Sequence, residues 1–220
     1  MCGRFTLLAD LLKIVETFDI QEIDCEVHPS GNICPGEQVA SVIHDGVNRL
    51  VEFQWGLIPS WAKDPAIGYN MINARAETIA EKPSFREAFK RHRCLIVADG
   101  FYEWKKDGKR KVPMQILLKS GEPFAFAGLY EHWRSPDRQV IKSCAIITKD
   151  ANELIAPVHD RMPVILSQAD RTAWIDPDSR DSRRLLSMLK PYPSDEMEIR
   201  AADPSNLKSI SGSCCKKCNN

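Results

Sequence analysis

The first five residues, Met1-Cys2-Gly3-Arg4-Phe5, hold the most chemistry in the fewest atoms. Removing Met1 turns Cys2 into a 1,2-aminothiol, and processing aminopeptidases generally accept a small second residue such as cysteine. The freed α-amine has a reference pKa of about 7.7–8.0, so an appreciable fraction is an uncharged nucleophile at neutral pH. A carbonyl captured by that amine can be captured again by the neighbouring sulfur. An aldehyde would give first a Schiff base and then a thiazolidine ring. Closures of this kind reach effective molarities of about 10⁵–10⁸ M when well oriented. On Met-Cys alone the plainer reading is favoured, a small hydrophobe near a terminus. The rest of the chain has to decide.

Three further stretches carry reactive groups. Glu103 lies in Phe101-Tyr102-Glu103-Trp104, directly after the apolar run Cys94–Ala98. A carboxylate there is costly unless partnered or protonated. His159 and Arg161 sit in a loop bracketed by Pro157 and Pro163 rather than on an apolar face. A histidine so placed can accept and return a proton near neutral pH. In Met71–Glu77, alternation puts Asn73 and Arg75 on one side of an extended segment. Trp55-Gly-Leu-Ile-Pro-Ser-Trp61 fits no clean period, and a loop sealed by aromatics is as consistent with it as a ligand-facing one.

The elements that must position these groups are mostly strands. Val39–His44 and Arg49–Trp55 read as a hairpin turning at Asp45-Gly46. Cys94–Ala98 reads as a buried strand turned by Asp99-Gly100, and Val112–Leu118, Pro123–Leu129 and Val140–Thr148 as three more. Leu11, Leu12, Val15 and Phe18 mark one face of a short helix capped by Asp10. Ser84-Phe-Arg-Glu87 is a capping box opening a helix through Lys90. Two later helices run from Ser167 to before Pro177 and from Asp181 to Leu189, while residues 19–37 read as an irregular loop. The pattern predicts an α+β fold, a compact single domain of mainly antiparallel, barrel-like sheet with flanking short helices.

Composition narrows the function classes. The chain has 220 residues, 43% hydrophobic and 27% charged, as an ordinary globular protein does. No apolar run approaches the roughly 18 residues of a membrane span, and no secretory signal is visible, so a cytoplasmic protein without a membrane partner is expected. Lys plus Arg and Asp plus Glu both total 30, so any basic surface must be local. Eight cysteines in such a chain read as thiols rather than a disulfide framework. Cys215-x2-Cys218, with Cys214 beside it and no histidine near, is too little for a zinc site, and residues 208–220 are expected to be a polar, disordered tail.

Met-Cys-Gly-Arg-Phe, Trp-Gly-Leu-Ile-Pro-Ser-Trp, Asn-Ala-Arg-Ala-Glu, Gly-Phe-Tyr-Glu-Trp and His-Asp-Arg-Met-Pro occur in that order. Together they resemble the SRAP (SOS-response-associated peptidase) family of abasic-site processing proteins, from Cys2 to about Leu207. The resemblance implies one SRAP domain over residues 1–207. Its mature N-terminal cysteine would form a thiazolidine with the ring-opened deoxyribose of an abasic site in single-stranded DNA and shield the lesion. It also implies possible self-processing as a thiol peptidase. Carried over by position, Cys2 supplies both nucleophiles, Asn73 holds the geometry, Glu103 is the general acid/base and His159 assists ring opening and reversal. Arg4, Arg75 and Arg161 match phosphate-contacting positions. Trp61 and Trp104 are candidates for stacking against flanking bases, and the resemblance puts Thr148 and Pro35 near the DNA-facing cleft. No metal or cofactor is implied, and the expected state is a monomer. Two rivals remain. One is an N-terminal-nucleophile amidohydrolase resembling class II glutamine amidotransferase domains, which also begin Met-Cys-Gly but continue differently. The other is a non-catalytic module for single-stranded DNA.

Overall fold

The computed structural model describes residues 2–203 and 207; Met1 and the cysteine-bearing tail 208–220 lie outside the described residues. From the N-terminus, strand β1 (Arg4–Leu7) leads into helix α1 (Leu11–Phe18), with Asp10 accepting from the Lys13 backbone N–H as its cap. Short strands β2 (Glu22–Ile23) and β3 (Ser30–Ile33) follow, then the hairpin of β4 (Gln38–His44) and β5 (Asn48–Trp55). A 3-10 turn at Pro65–Asn70 precedes β6 (Asn73–Arg75). Helix α2 (Arg86–Arg91) precedes β7 (Arg93–Ala98), β8 (Gly100–Asp107), β9 (Arg110–Leu118), β10 (Phe124–Arg134) and β11 (Val140–Asp150). The chain ends through β12 (Arg161–Pro163), α3 (Gln168–Ile175), α4 (Ser182–Met188) and β13 (Met197–Ala201).

Two sheets share the core. In the larger, β5, β4, β7, β10 and β11 pair antiparallel in that order. The ring closes where β11 meets β5, with Ser143 opposite Gln54 and Cys144 opposite Trp55. Five alternating strands cannot close with every pair antiparallel, and that last pair is parallel. Closure removes the unpaired edges that an open sheet would expose. Within the ring Gly128 is required by space: a Cβ there would stand 2.7 Å from Cys94 Sγ and 2.9 Å from Ile96. The smaller sheet has the order β13-β9-β8-β1-β3. Phe5 and Phe101 of this sheet meet Phe126 of the barrel edge-on at 5.7 and 6.0 Å, and Phe5 also meets Trp55 at 5.1 Å.

The α+β, mainly antiparallel architecture is as the sequence predicts, with three local differences. In α1 the buried residues are Ile14 and Phe18, while Leu11 and Leu12 face solvent: Ile14 and Phe18 join the hydrophobic core and the two leucines do not. Residues 19–37 include β2 and β3, which add to sheet edges at β5 and β1. Ser84 is not a cap: the residue before α2 is Phe85, with no side-chain cap bond. Asp99-Gly100 is the corner where the chain leaves the barrel for the smaller sheet rather than a simple turn. Asp99 accepts from the Thr6 hydroxyl and from the backbone N–H groups of Leu8 and Ala9, tying that corner to the end of β1.

Candidate active site

The two sheets meet at Cys2. Strand β1 pairs antiparallel with β8, Arg4 opposite Tyr102 and Phe5 opposite Phe101. Continuing that register sets Gly3 opposite Glu103, with Cys2 just beyond the strand end. Cys2 is fully buried, and its thiol makes a long contact of 3.9 Å to the Arg4 carbonyl. Burial, and then the charge of Glu103, push the thiol well above its ordinary pKa. It is held as S–H at neutral pH.

Asn73 reaches the same point from the barrel. Its Nδ2 donates to the Cys2 carbonyl at 2.8 Å. Its Oδ1 is buried and accepts no hydrogen bond among the described residues. The position of Asn73 is fixed on both sides. After it, β6 runs parallel to β11, with Asn73 opposite Ile146 and Arg75 opposite Thr148. Before it, the Ile72 carbonyl accepts from Trp55 Nε1 at 2.9 Å and from Ile146 N–H at 3.0 Å. The Trp55–Trp61 segment is thereby explained in part: Trp55 is a structural clamp. Gly56 has φ of +136°, and a Cβ on it would meet the Gly68 carbonyl oxygen at 2.8 Å, so the strand end and the 3-10 turn can touch only as glycines.

Glu103 is 2% exposed, and burial pushes its carboxyl above the usual range against the opposing pull of His159. The His159 ring is half-buried in the loop between β11 and β12, where Nδ1 lies 3.0 Å from the Arg161 backbone N–H and 2.8 Å from Asp160 Oδ1. A neutral Nδ1 accepts from the amide, whereas a protonated one donates to the carboxylate, so the ring has a partner in either state.

Arg161 differs from expectation. Its terminal nitrogens donate to both Glu77 oxygens at 3.0 and 2.9 Å, to Asp150 at 2.6 Å and to the Thr148 carbonyl at 2.6 Å. A guanidinium so bound ties β12 to β11 and to the segment after β6. Although burial opposes it, Arg161 holds the Glu77 carboxyl below its usual range. Glu77 is thus a site-supporting residue that reading the sequence missed. Its only signal was the acidic end of Asn-Ala-Arg-Ala-Glu.

The remaining positions divide. Arg4 is buried, donates to Asn32 Oδ1 and to the Leu207 carbonyl at 3.3 Å each, and lies 5.8 Å from the centre of the Trp104 ring. Trp104 is half-buried at the edge of the cluster. Arg75 is exposed and makes no ion pair among the described residues. Thr148 is fully buried, with a hydroxyl that has no partner among the described residues. Pro35 is buried beside Gly36, whose N–H donates to the Trp55 carbonyl. Trp61, 57% exposed, donates to the Pro83 carbonyl at 3.4 Å and touches none of the central four.

A buried aminothiol precursor, an amide fixed on its carbonyl, a carboxyl of raised pKa and a histidine can together handle a carbonyl substrate and its protons. Comparison with known proteins adds the family. The chain is 52% identical over 202 residues to the abasic site processing protein YoqW of Bacillus subtilis, covering 90% of both. It is 30% identical over 226 residues to the abasic site processing protein YMR114C of Saccharomyces cerevisiae, covering 87% of this chain and 60% of that one. A crystal structure of a protein from Bacteroides thetaiotaomicron superposes with a TM-score of 0.85 at 26% identity, over 96% of this chain and 100% of the other. A family profile described as SOS response associated peptidase (SRAP) matches residues 1–205, and the chain belongs to that family.

Proposed function

We propose that the protein processes abasic sites in single-stranded DNA by crosslinking to them through its mature N-terminal cysteine. The observation that carries this reading is the placement of Cys2, its carbonyl fixed by Asn73 and its thiol kept protonated by burial beside Glu103. The chemistry needs a free α-amine, so Met1 must first be removed. The amine attacks the C1′ aldehyde of the ring-opened sugar, and Glu103 takes the proton that the nitrogen sheds. Returning that proton gives the carbinolamine hydroxyl; the second nitrogen proton, relayed to that hydroxyl in the same way, then expels water and leaves an imine. The Cys2 thiol then adds to the imine carbon, its proton passing to nitrogen, and closes the thiazolidine. The net change is aldehyde plus aminothiol to ring plus one water.

His159 serves the steps before and after. Ring opening of the deoxyribose needs a proton at the ring oxygen, and reversal needs it removed, which suits an imidazole with a partner in each protonation state. Asn73 can donate to Cys2 and accept from the substrate at once. Arg4, Arg75 and Trp104 are proposed to hold flanking phosphates and a base, with Thr148 lining the cleft. Trp61, Pro35 and Arg161 have no direct part; Arg161 positions the His159 loop. In the amidohydrolase reading sulfur would instead attack an amide first, with the free α-amine as its base.

The test is an intact mass. Protein lacking Met1, incubated with an oligonucleotide bearing one abasic site, should give a species weighing the sum of the two less one water. It should survive heat and denaturant and be absent with Cys2→Ala. Only a salt-labile complex, equal for intact and abasic strands, would leave the non-catalytic reading standing.

A further inference from the structure

Among the described residues Arg4, Arg93 and Arg161 are buried and Arg171 is half-buried, and Arg171 makes the fewest hydrogen bonds of the four. Arg93 donates to five carbonyls, those of Trp174, Phe89, Lys90, Asp176 and Ser179, at 2.7–3.0 Å. Arg161 is bound by two carboxylates, and Arg4 by Asn32 and Leu207. Arg171, on α3, makes a single bond of 3.3 Å to the Thr17 carbonyl. Its Nε is buried without a partner among the described residues, as is that of Arg161, and its guanidinium lies over the face of Phe18 at 4.7 Å and near Tyr192. No carboxylate pairs with it among the described residues. A guanidinium has five N–H donors, and with a single bond made the remaining ones are left for the cavity that Arg171 lines.

Arg171 lines a cavity of about 410 Å³ between α1, the β4–β5 turn and α3. The volume falls within the usual range for small-molecule sites. Thr17, Gln21, Asn48, Gln168 and Thr172 supply neutral polar groups, and Asp19 is the one carboxylate in the lining. Phe18, Leu95 and Ile175 supply apolar wall. The cavity lies at the end of β5 that starts with Asn48. The cluster around Cys2 lies at the other end, beyond Trp55, roughly 25 Å away along an extended strand of about 3.3 Å per residue.

We infer that this cavity is a second binding site, which takes a small oxyanion, phosphate- or carboxylate-bearing, onto the Arg171 guanidinium. A planar fork of donors suits either group, and the neutral amides around it suit a ligand whose body is uncharged. The inference does not depend on the crosslinking chemistry.

The test uses the full chain and inorganic phosphate or acetate as probes, against chloride at matched ionic strength. Thermal melting and amide chemical shifts are read together. Saturable stabilisation is expected with at least one probe, with shifts confined to residues 17–21, 44–48 and 168–172. Arg171→Met should abolish both effects while leaving adduct formation at Cys2 unchanged. Should that variant not fold, Gln168→Glu places a carboxylate at the cavity and should raise the melting temperature while removing the response to either probe. Melting insensitive to both probes, or a response undiminished in the variants, overturns the site. Loss of crosslinking with probe binding intact would count against the proposed function alone.

Discussion

In the proposed reaction at Cys2, a thiol that burial holds above its ordinary pKa is the poorer first nucleophile, so nitrogen attacks and sulfur closes. Glu103 then has to be ionised to receive a proton. Its carboxyl lies above the ordinary value of 4.5, so the rate of adduct formation should fall as pH drops through that raised value. Glu103→Gln should erase this acid limb and slow the reaction by about 10²–10⁴-fold, as single-turnover crosslinking against pH would measure. An unchanged rate would assign the proton transfer to another group. The same substitution makes a prediction for stability. A carboxyl whose folded pKa is raised favours the folded state below its unfolded pKa, and that advantage is lost as pH rises through the folded value. Glu103→Gln should therefore melt at or above the parent at pH 7 while working more slowly. A lower melting temperature at pH 7 would mean that contacts to the carboxylate outweigh its desolvation. Glu103 and His159 could be picked out of the sequence because each breaks a local rule, a charge in an apolar run and a titratable ring in a rigid loop. Glu77 breaks none, since its partner lies 84 positions away.

At the level of elements, strands read well and their partners did not. Alternation and turn residues located β4, β5, β7 and β9–β11, but β2 and β3 have only two and four residues. Segments so short are strands only because β5 and β1 offer an edge. Helix α1 misled for a related reason. Periodicity finds an apolar stripe, yet which part of it is buried depends on what packs there, and Leu12 is 76% exposed. Its cap was legible because capping is local. Asp10→Ala should cost about 1 kcal/mol in chemical denaturation with crosslinking unchanged. The clasp of Arg161 on Glu77 is the opposite case, non-local and close to the chemistry. Glu77→Gln should cost about 1–2 kcal/mol, less than a fully buried pair because Glu77 side-chain exposure is 37%. It should also slow both formation and reversal of the adduct, because β6 carries Asn73 and the β12 loop carries His159. A loss of stability with kinetics intact would show that each strand holds its residue unaided.

Over the whole molecule the charges cancel, 30 against 30, so no global field draws the protein to a polyanion. Association with DNA must then rest on a few cations beside the cleft. Arg75 is the best placed of these, exposed and without an ion pair among the described residues, on the strand that begins with Asn73. Each phosphate neutralised on a single strand contributes about 0.7 to the slope of log affinity against log salt. The rate of adduct formation at limiting protein should therefore fall with added salt, with a slope set by a handful of contacts. Arg75→Gln should reduce that slope by about 0.7 and slow the reaction most at low salt. The adduct, once formed, is held by carbon–nitrogen and carbon–sulfur bonds and should be indifferent to salt. Gel shifts and intact masses taken across the same salt series separate the two. If salt dissolved the finished complex as readily as it slowed its formation, ionic contact alone would hold the strand, and the ring at Cys2 would have no place in the mechanism.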